Sequence, residues 1–165
     1  MNNLPATADH APWTSDQAFT QIYQLIKSFT LVDPYRCYEI WSLVAQSAKL
    51  EGSLLEVGVW RGGTGALIAT KASLCGITDT VYLCDTFKGV VKAASQKDSS
   101  YRGGEHADTS RHVVEDFLYQ RLQLTNVTIL PGVFPDDTGP AIAHERFRFC
   151  HIDVDVYQSA KDVTA

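Results

Sequence analysis

Residues 56–65 read Glu56-Val57-Gly58-Val59-Trp60-Arg61-Gly62-Gly63-Thr64-Gly65, and further acids, Asp85, Asp153 and Asp155, stand at or just beyond the ends of later apolar runs. The glycine-rich segment follows Leu54-Leu55 and precedes the helix-like stretch Ala66-Leu67-Ile68-Ala69-Thr70-Lys71. A strand, a glycine turn and a helix start in one piece let a ligand press against bare backbone, and the first helical N–H groups are free to meet it. The ligand that fits is a nucleotide or nucleoside with polar or charged groups. Glu56, near the end of the strand, suits a ligand that also carries positive charge. Asp153 and Asp155 offer a second chemistry: two carboxylates one residue apart can bind a hard cation through oxygen, or hold a proton or a substrate hydroxyl. They can equally be turn carboxylates that cap the next helix near Ser159.

The glycine spacing narrows the ligand. Glycines at 58, 62, 63 and 65 fit no register of G-x-G-x-x-G. Gly58 and Gly63 have the interval of a phosphate-cradling loop, but Thr64 stands where that loop needs Lys. An acid followed closely by spaced glycines has the look of an S-adenosylmethionine (SAM) site, whose ligand carries a sulfonium and an ammonium and no phosphate. Asp85 follows Gly58 at close to the distance at which an acid on a second strand meets ribose hydroxyls. Its plainer role is to cap the Thr86-Phe87 turn.

Such residues need a frame. The chain has 165 residues, 45% apolar and 20% charged, with net charge −5. That is enough for one domain with a substantial core, and the negative balance argues against nucleic acid as partner. No run approaches the length of a membrane span. The N-terminus lacks the basic-then-apolar order of a signal peptide. Cys37, Cys75, Cys84 and Cys150 form no C-x-x-C pair, so they read as reduced thiols of a cytoplasmic protein rather than zinc ligands.

Phe19, Ile22, Tyr23, Ile26 and Phe29 recur at helical spacing, which predicts a helix over about 15–29. Asp33-Pro34 starts a second helix, with Tyr38, Trp41, Ala45 and Ala48 as its buried stripe. Strand and helix then alternate: a strand at 53–58, a helix at 63–74 stopped by Gly76, a strand over Val81–Asp85, a polar stretch from Lys88 to Asp108, a helix at about 110–123, and strands at 127–130 and 147–153. That order predicts an α/β fold, a parallel sheet with helices on both faces, and ligands beyond the carboxyl ends of the strands.

With the motifs placed, the chain resembles the macrocin O-methyltransferase family. The segments that carry the resemblance are Glu56–Gly63, Asp85-Thr86-Phe87-Lys88-Gly89 and His151-Ile152-Asp153-Val154-Asp155-Val156-Tyr157-Gln158-Ser159, with Tyr101–Ser110 similar to a loop of one bacterial branch. The match runs from about Asp33 to Asp162. The resemblance implies a Rossmann-like class I methyltransferase fold, SAM as methyl donor, a divalent cation such as magnesium, and a small-molecule hydroxyl as acceptor. It assigns Glu56, Gly58, Arg61, Gly62, Gly63, Thr64 and Asp85 to SAM. It assigns Asp153 and Asp155 to the metal and to the acceptor hydroxyl as catalytic groups.

The family's paired Asp-Asp metal ligands belong to a following strand that this sequence does not contain. Asp136-Asp137, on the loop after the third strand, is a poor replacement. Residues 1–13 are therefore expected to be a flexible tail and residues 14–165 a methyltransferase domain lacking its last strands, inactive alone and prone to self-association. The competing expectations are a nonenzymatic SAM-binding remnant and a nucleotide-dependent oxidoreductase. His106 is weighed as a group facing the acceptor, and Tyr157 as either packing or lining.

Overall fold

The protein is described by a computed structural model over residues 11–164. Its centre is a parallel sheet of four strands: β1 (Ser53–Val57), β2 (Val81–Asp85), β3 (Val127–Pro131) and β4 (Phe147–Ile152), in the order β3-β2-β1-β4. Leu55 pairs with Tyr82, Cys84 with Leu130, and Glu56 with His151. Every residue of β1 is buried, as a central strand covered on both faces requires. The residue composition explains the strands: Val, Ile, Leu and Phe runs alternate their side chains between two faces.

Leu54, Val81, Leu83, Val127 and Ile129 face one core, packed against α1 (Gln17–Ile26), α2 (Pro34–Ser47), α3 (Gly63–Leu74) and α4 (Arg111–Glu115). Leu55, Val57 and Cys84 face the other, where the cover is thinner: the short helices α5 (Gly139–Ile142) and α6 (Tyr157–Val163) supply Ile142 and Val163. Helices thus lie on both faces as expected, in layers of unequal depth. β4 pairs with β1 alone among the described residues, and Cys150 and Ile152 on it are exposed.

The helix starts follow their capping residues. Asp16 accepts from the Phe19 amide at 3.0 Å and also from Trp41 Nε1 at 2.9 Å, which ties the start of α1 to the middle of α2. Asp33 caps α2 through the Arg36 amide, with Pro34 at the first helical position. Two helices differ from expectation. The first ends at Ile26 rather than near 29: the chain tightens there, the Phe29 amide bonding the Ile26 carbonyl at 2.7 Å, and the Phe29 carbonyl accepts from the Gly63 amide at 2.9 Å. The stretch expected as one helix over 110–123 begins after Ser110 and widens into a π-helical segment, Asp116–Arg121, where Phe117 stacks on Phe29 with centroids 3.8 Å apart.

Trp13, at the end of the expected tail, follows a 3-10 turn's first residue and meets Tyr35 edge-on at 4.5 Å. Residues 1–10 lie outside the described residues. No helix among the described residues is long and apolar enough to cross a membrane.

Candidate functional site

The strand order reverses between β1 and β4, and that switch point opens a crevice beyond the carboxyl ends of the strands. The chain leaves β1 at Gly58, whose N–H is bonded to the Cys84 carbonyl at 3.0 Å, while the Asp153 amide bonds the Val57 carbonyl at 2.8 Å. Gly58 has φ +90°, and a Cβ there would overlap the Asp153 carbonyl. Only glycine lets the β1 turn and the end of β4 lie this close. Gly62, at φ +89°, then caps α3 in the left-handed conformation.

Asp85 organises this turn. Its Oδ2 accepts from the amides of Val59 at 2.6 Å and Trp60 at 2.9 Å, and its Oδ1 from the Phe87 amide at 2.7 Å. The acid therefore does the plain task, capping its own turn, and also holds the glycine-rich turn in place. It lines the cavity as well.

That cavity measures about 340 Å³. Asp85, Thr86 and Gly132-Val133-Phe134 line it on the β2–β3 side, and Gly58, Thr64, Asp153 and Asp155 on the β1–β4 side. The polar stretch from Lys88 to Asp108 folds across it as a strap. Val90 and Gly104–Glu105 hydrogen-bond to one another at 2.8 Å and make the strap a closed loop. Asp108 fastens one end, accepting from Trp60 Nε1 at 2.8 Å and pairing with Arg61 Nη2 at 2.6 Å. Asp98 fastens the middle, accepting from the amides of Ala94 at 2.7 Å and Tyr157 at 2.9 Å. Lys92 bridges Asp136 and Asp162, each at 2.7 Å.

The strap brings Tyr101 and His106 to the cavity beside Asp155. Tyr101 donates its hydroxyl hydrogen to Asp155 Oδ1 at 2.8 Å, and His106 Nε2 lies 3.9 Å from Asp155 Oδ2. The bond to Asp155, with burial adding to it, pushes the Tyr101 phenol up to about 12. Trp60, His106 and Asp155 all have positive φ, at 49°, 63° and 63°. Left-handed backbone at three non-glycine residues of one cavity is strain of the kind that concentrates at working sites.

The site residues expected from sequence divide into two groups. Gly58, Thr64, Asp85, Asp153 and Asp155 line the cavity. Glu56, Arg61, Gly62 and Gly63 do not. Arg61 points away, its guanidinium 4.4 Å from the Trp60 ring centroid and bound to Asp108. Gly63 carries the Phe29 contact. Glu56 is fully buried below the start of α3, its Oε1 3.0 Å from His151 Nδ1 and its Oε2 without a hydrogen-bond partner among the described residues. Burial raises the Glu56 pKa against the opposing pull of His151. Burial would lower that of His151, but the hydrogen bond and charge of Glu56 outweigh it and raise it.

Several lining residues were not foreseen: Arg36, the Thr30–Val32 connector, Val133 and Phe134. The last two sit past the end of β3, where the strand-end rule could have found them.

Asp153 and Asp155 do not by themselves make a metal centre. Among the described residues no group of three or more His, Cys, Asp or Glu side chains is arranged to hold a metal ion. Asp136 is engaged by Lys92, and Asp137 Oδ2 accepts from the Val133 amide at 2.8 Å, so neither is available to complete one.

The model of the macrocin-O-methyltransferase (TylF) family matches residues 27–165. The chain belongs to the macrocin-O-methyltransferase family. Relatives within reach of this family are the 8-demethyl-8-(2,3-dimethoxy-alpha-L-rhamnosyl)-tetracenomycin-C 4'-O-methyltransferase of Streptomyces olivaceus, 33% identical over 67% of this chain and 45% of that protein, and the mycinamicin III 3''-O-methyltransferase of Micromonospora griseorubida, 31% identical over 68% of this chain and 48% of that protein. The chain spans about half the length of these curated relatives. Among solved structures, the O-methyltransferase NovP superposes with a TM-score of 0.65 at 24% identity, over 82% of this chain and 60% of its own. The calicheamicin methyltransferase CalS11 gives 0.61 at 14% identity, over 99% of this chain and 76% of its own. The fold is that of the class I O-methyltransferases.

Proposed function

We propose that this chain forms the donor side of a SAM-dependent O-methyltransferase that methylates a hydroxyl of a small molecule such as a sugar or other natural product, in the cytoplasm. The observation that carries the reading is the cavity at the switch point, with Gly58 and its bare backbone on one wall and Asp85 at the end of the neighbouring strand. Membership of the macrocin-O-methyltransferase family supports it, as do relatives described as methylating hydroxyls of glycosylated natural products.

SAM supplies an electrophilic methyl group: a C–O bond forms as the C–S bond breaks, the electron pair stays on sulfur, and the hydroxyl proton leaves. The residues of the chain divide the remaining work. The glycine-rich turn and Asp85 hold the nucleoside, with Asp85 offering its carboxylate edge to the ribose. Asp153 and Asp155 hold the acceptor hydroxyl and receive its proton. The strap, with Tyr101 and His106, covers the acceptor end and excludes water from the sulfonium. Holding oxygen and methyl carbon in line is the larger part of such catalysis.

The magnesium ion that the family resemblance brings with it is not accommodated by the described residues, since Asp153 and Asp155 find no third ligand there. No step here depends on it. On this reading the 165 residues bind donor and do not turn over by themselves.

Calorimetry with S-adenosylhomocysteine and NADH tests the donor assignment. Binding of the former alone is expected, and binding of NADH alone would overturn it in favour of an oxidoreductase. Labelled SAM, offered with hydroxylated acceptors to this chain and to a form extended to the length of its relatives, tests the transfer. Donor binding with no transfer by the extended form would favour a nonenzymatic SAM-binding protein.

A further inference from the structure

We propose that Arg36 anchors the carboxylate at the methionyl end of the donor; this rests on the donor-site reading above. Among the described residues Arg36 is the only lysine or arginine that lines the cavity. It sits in the first turn of α2, where Asp33 Oδ2 accepts from its Nε at 2.7 Å and its backbone amide is capped by Asp33 Oδ1 at 3.0 Å. The stem is thereby fixed, while Nη1 and Nη2 make no hydrogen bond among the described residues. A guanidinium held by one edge, with its fork free, is a ready receptor for a carboxylate.

The layout of the sheet says which end of the donor it meets. With the nucleoside against Asp85 on β2, the amino-acid end must run across β1 toward β4. Arg36 lines the same cavity as Asp153 at the end of β4, and the charge of Asp153 is among those that raise the pKa of its guanidinium. The carboxylate of the α-amino-acid end of SAM would find a guanidinium at that end of the cavity. The connector Phe29–Val32, docked on Gly63 through the Phe29 carbonyl, fixes the height of α2 above the glycine turn and so the reach of Arg36.

Two ligands separate the proposal from its alternatives: S-adenosylhomocysteine carries the amino-acid end, and methylthioadenosine keeps the nucleoside and sulfur without it. In calorimetry on the 165-residue chain, Arg36→Gln should weaken S-adenosylhomocysteine about 10-fold and leave methylthioadenosine within about 2-fold, while Arg36→Lys, a point charge without the fork, falls between. The Arg36 side chain is 64% exposed, so both variants should melt as the parent does. Equal losses on both ligands would make Arg36 a structural residue and overturn the proposal. So would an unchanged S-adenosylhomocysteine affinity, which would leave the guanidinium to an anionic acceptor. If the unaltered chain binds neither ligand, the donor-site reading itself fails, a distinct outcome.

Discussion

Glu56 and His151 face each other across the β1–β4 pairing, with Oε1 3.0 Å from Nδ1 and the glutamate wholly buried. The pKa of each is raised above its ordinary value, 4.5 for Glu56 and 6.5 for His151. The folded chain therefore keeps a proton on this pair where the unfolded chain has released it. A raised pKa gives stability that is full below the unfolded value and is lost as pH rises through the folded one. The His151 part of that loss begins above about pH 6.5. Melting temperature should fall by a few degrees between pH 6 and 9, and the fall should flatten in His151→Gln. A flat profile in the parent chain would show that the pair carries no linked proton. His151→Ala, which leaves Glu56 buried without its partner, should cost about 3 kcal/mol in a denaturant titration.

Asp85 is asked to do two things at once. Asp85→Ala removes the acceptor for the Val59, Trp60 and Phe87 amides, so it should destabilise the chain by about 2–4 kcal/mol, less than three full charge-assisted hydrogen bonds because the freed amides can meet water in the cavity. It should also weaken S-adenosylhomocysteine at least about 10-fold. Loss of affinity with unchanged stability would mean that the amide contacts are idle and the ribose contact is all that Asp85 provides.

The Asp108 latch predicts how the strap behaves. Lys97 and Arg102 lie within the strap, so trypsin reads its opening directly. Asp108→Ala frees Trp60 and Arg61 and should speed cleavage there several-fold, while S-adenosylhomocysteine should slow cleavage of the parent chain. Identical cleavage rates in the two proteins would place the closure of the strap at Asp98 and Lys92 instead.

Magnesium should do little to this chain. Adding roughly 5 to 10 mM, the range at which a millimolar site would raise the melting point by a degree or more, should leave the transition in place. A clear rise would reveal ligands that the arrangement of Asp153 and Asp155 does not show.

What the sequence disclosed and what it hid follow from range. Gly58, Asp85 and the strand ends were legible because strand period, glycine spacing and turn chemistry are local signals. The same is true of Asp33-Pro34 at the start of α2. The destination of Glu56 was not legible. Its place in the motif pointed to a ligand, but which face of β1 it occupies depends on the helix layer above it, and that layer buries it against His151, 95 residues away. Arg61 and Asp108 were equally opaque, since their pairing spans the strap. The connector after the first helix is opaque for the same reason: its Phe29 carbonyl is held by the Gly63 amide, a contact no helical period records.

The seal between Gly58 and Asp153 has a consequence for how such a protein can change its chemistry. The floor under the donor and the aspartates facing the acceptor share backbone hydrogen bonds through Val57, so they form one stiff piece, and neither can be reshaped without disturbing the other. The strap is different: it is fastened to the rest of the domain largely through side chains, at Asp108, Asp98 and Lys92. Exchanging the stretch between Val91 and Asp108 while keeping those three fastenings is thus the route by which new acceptors could be admitted without loss of the donor, whether in a laboratory library or over a lineage's history.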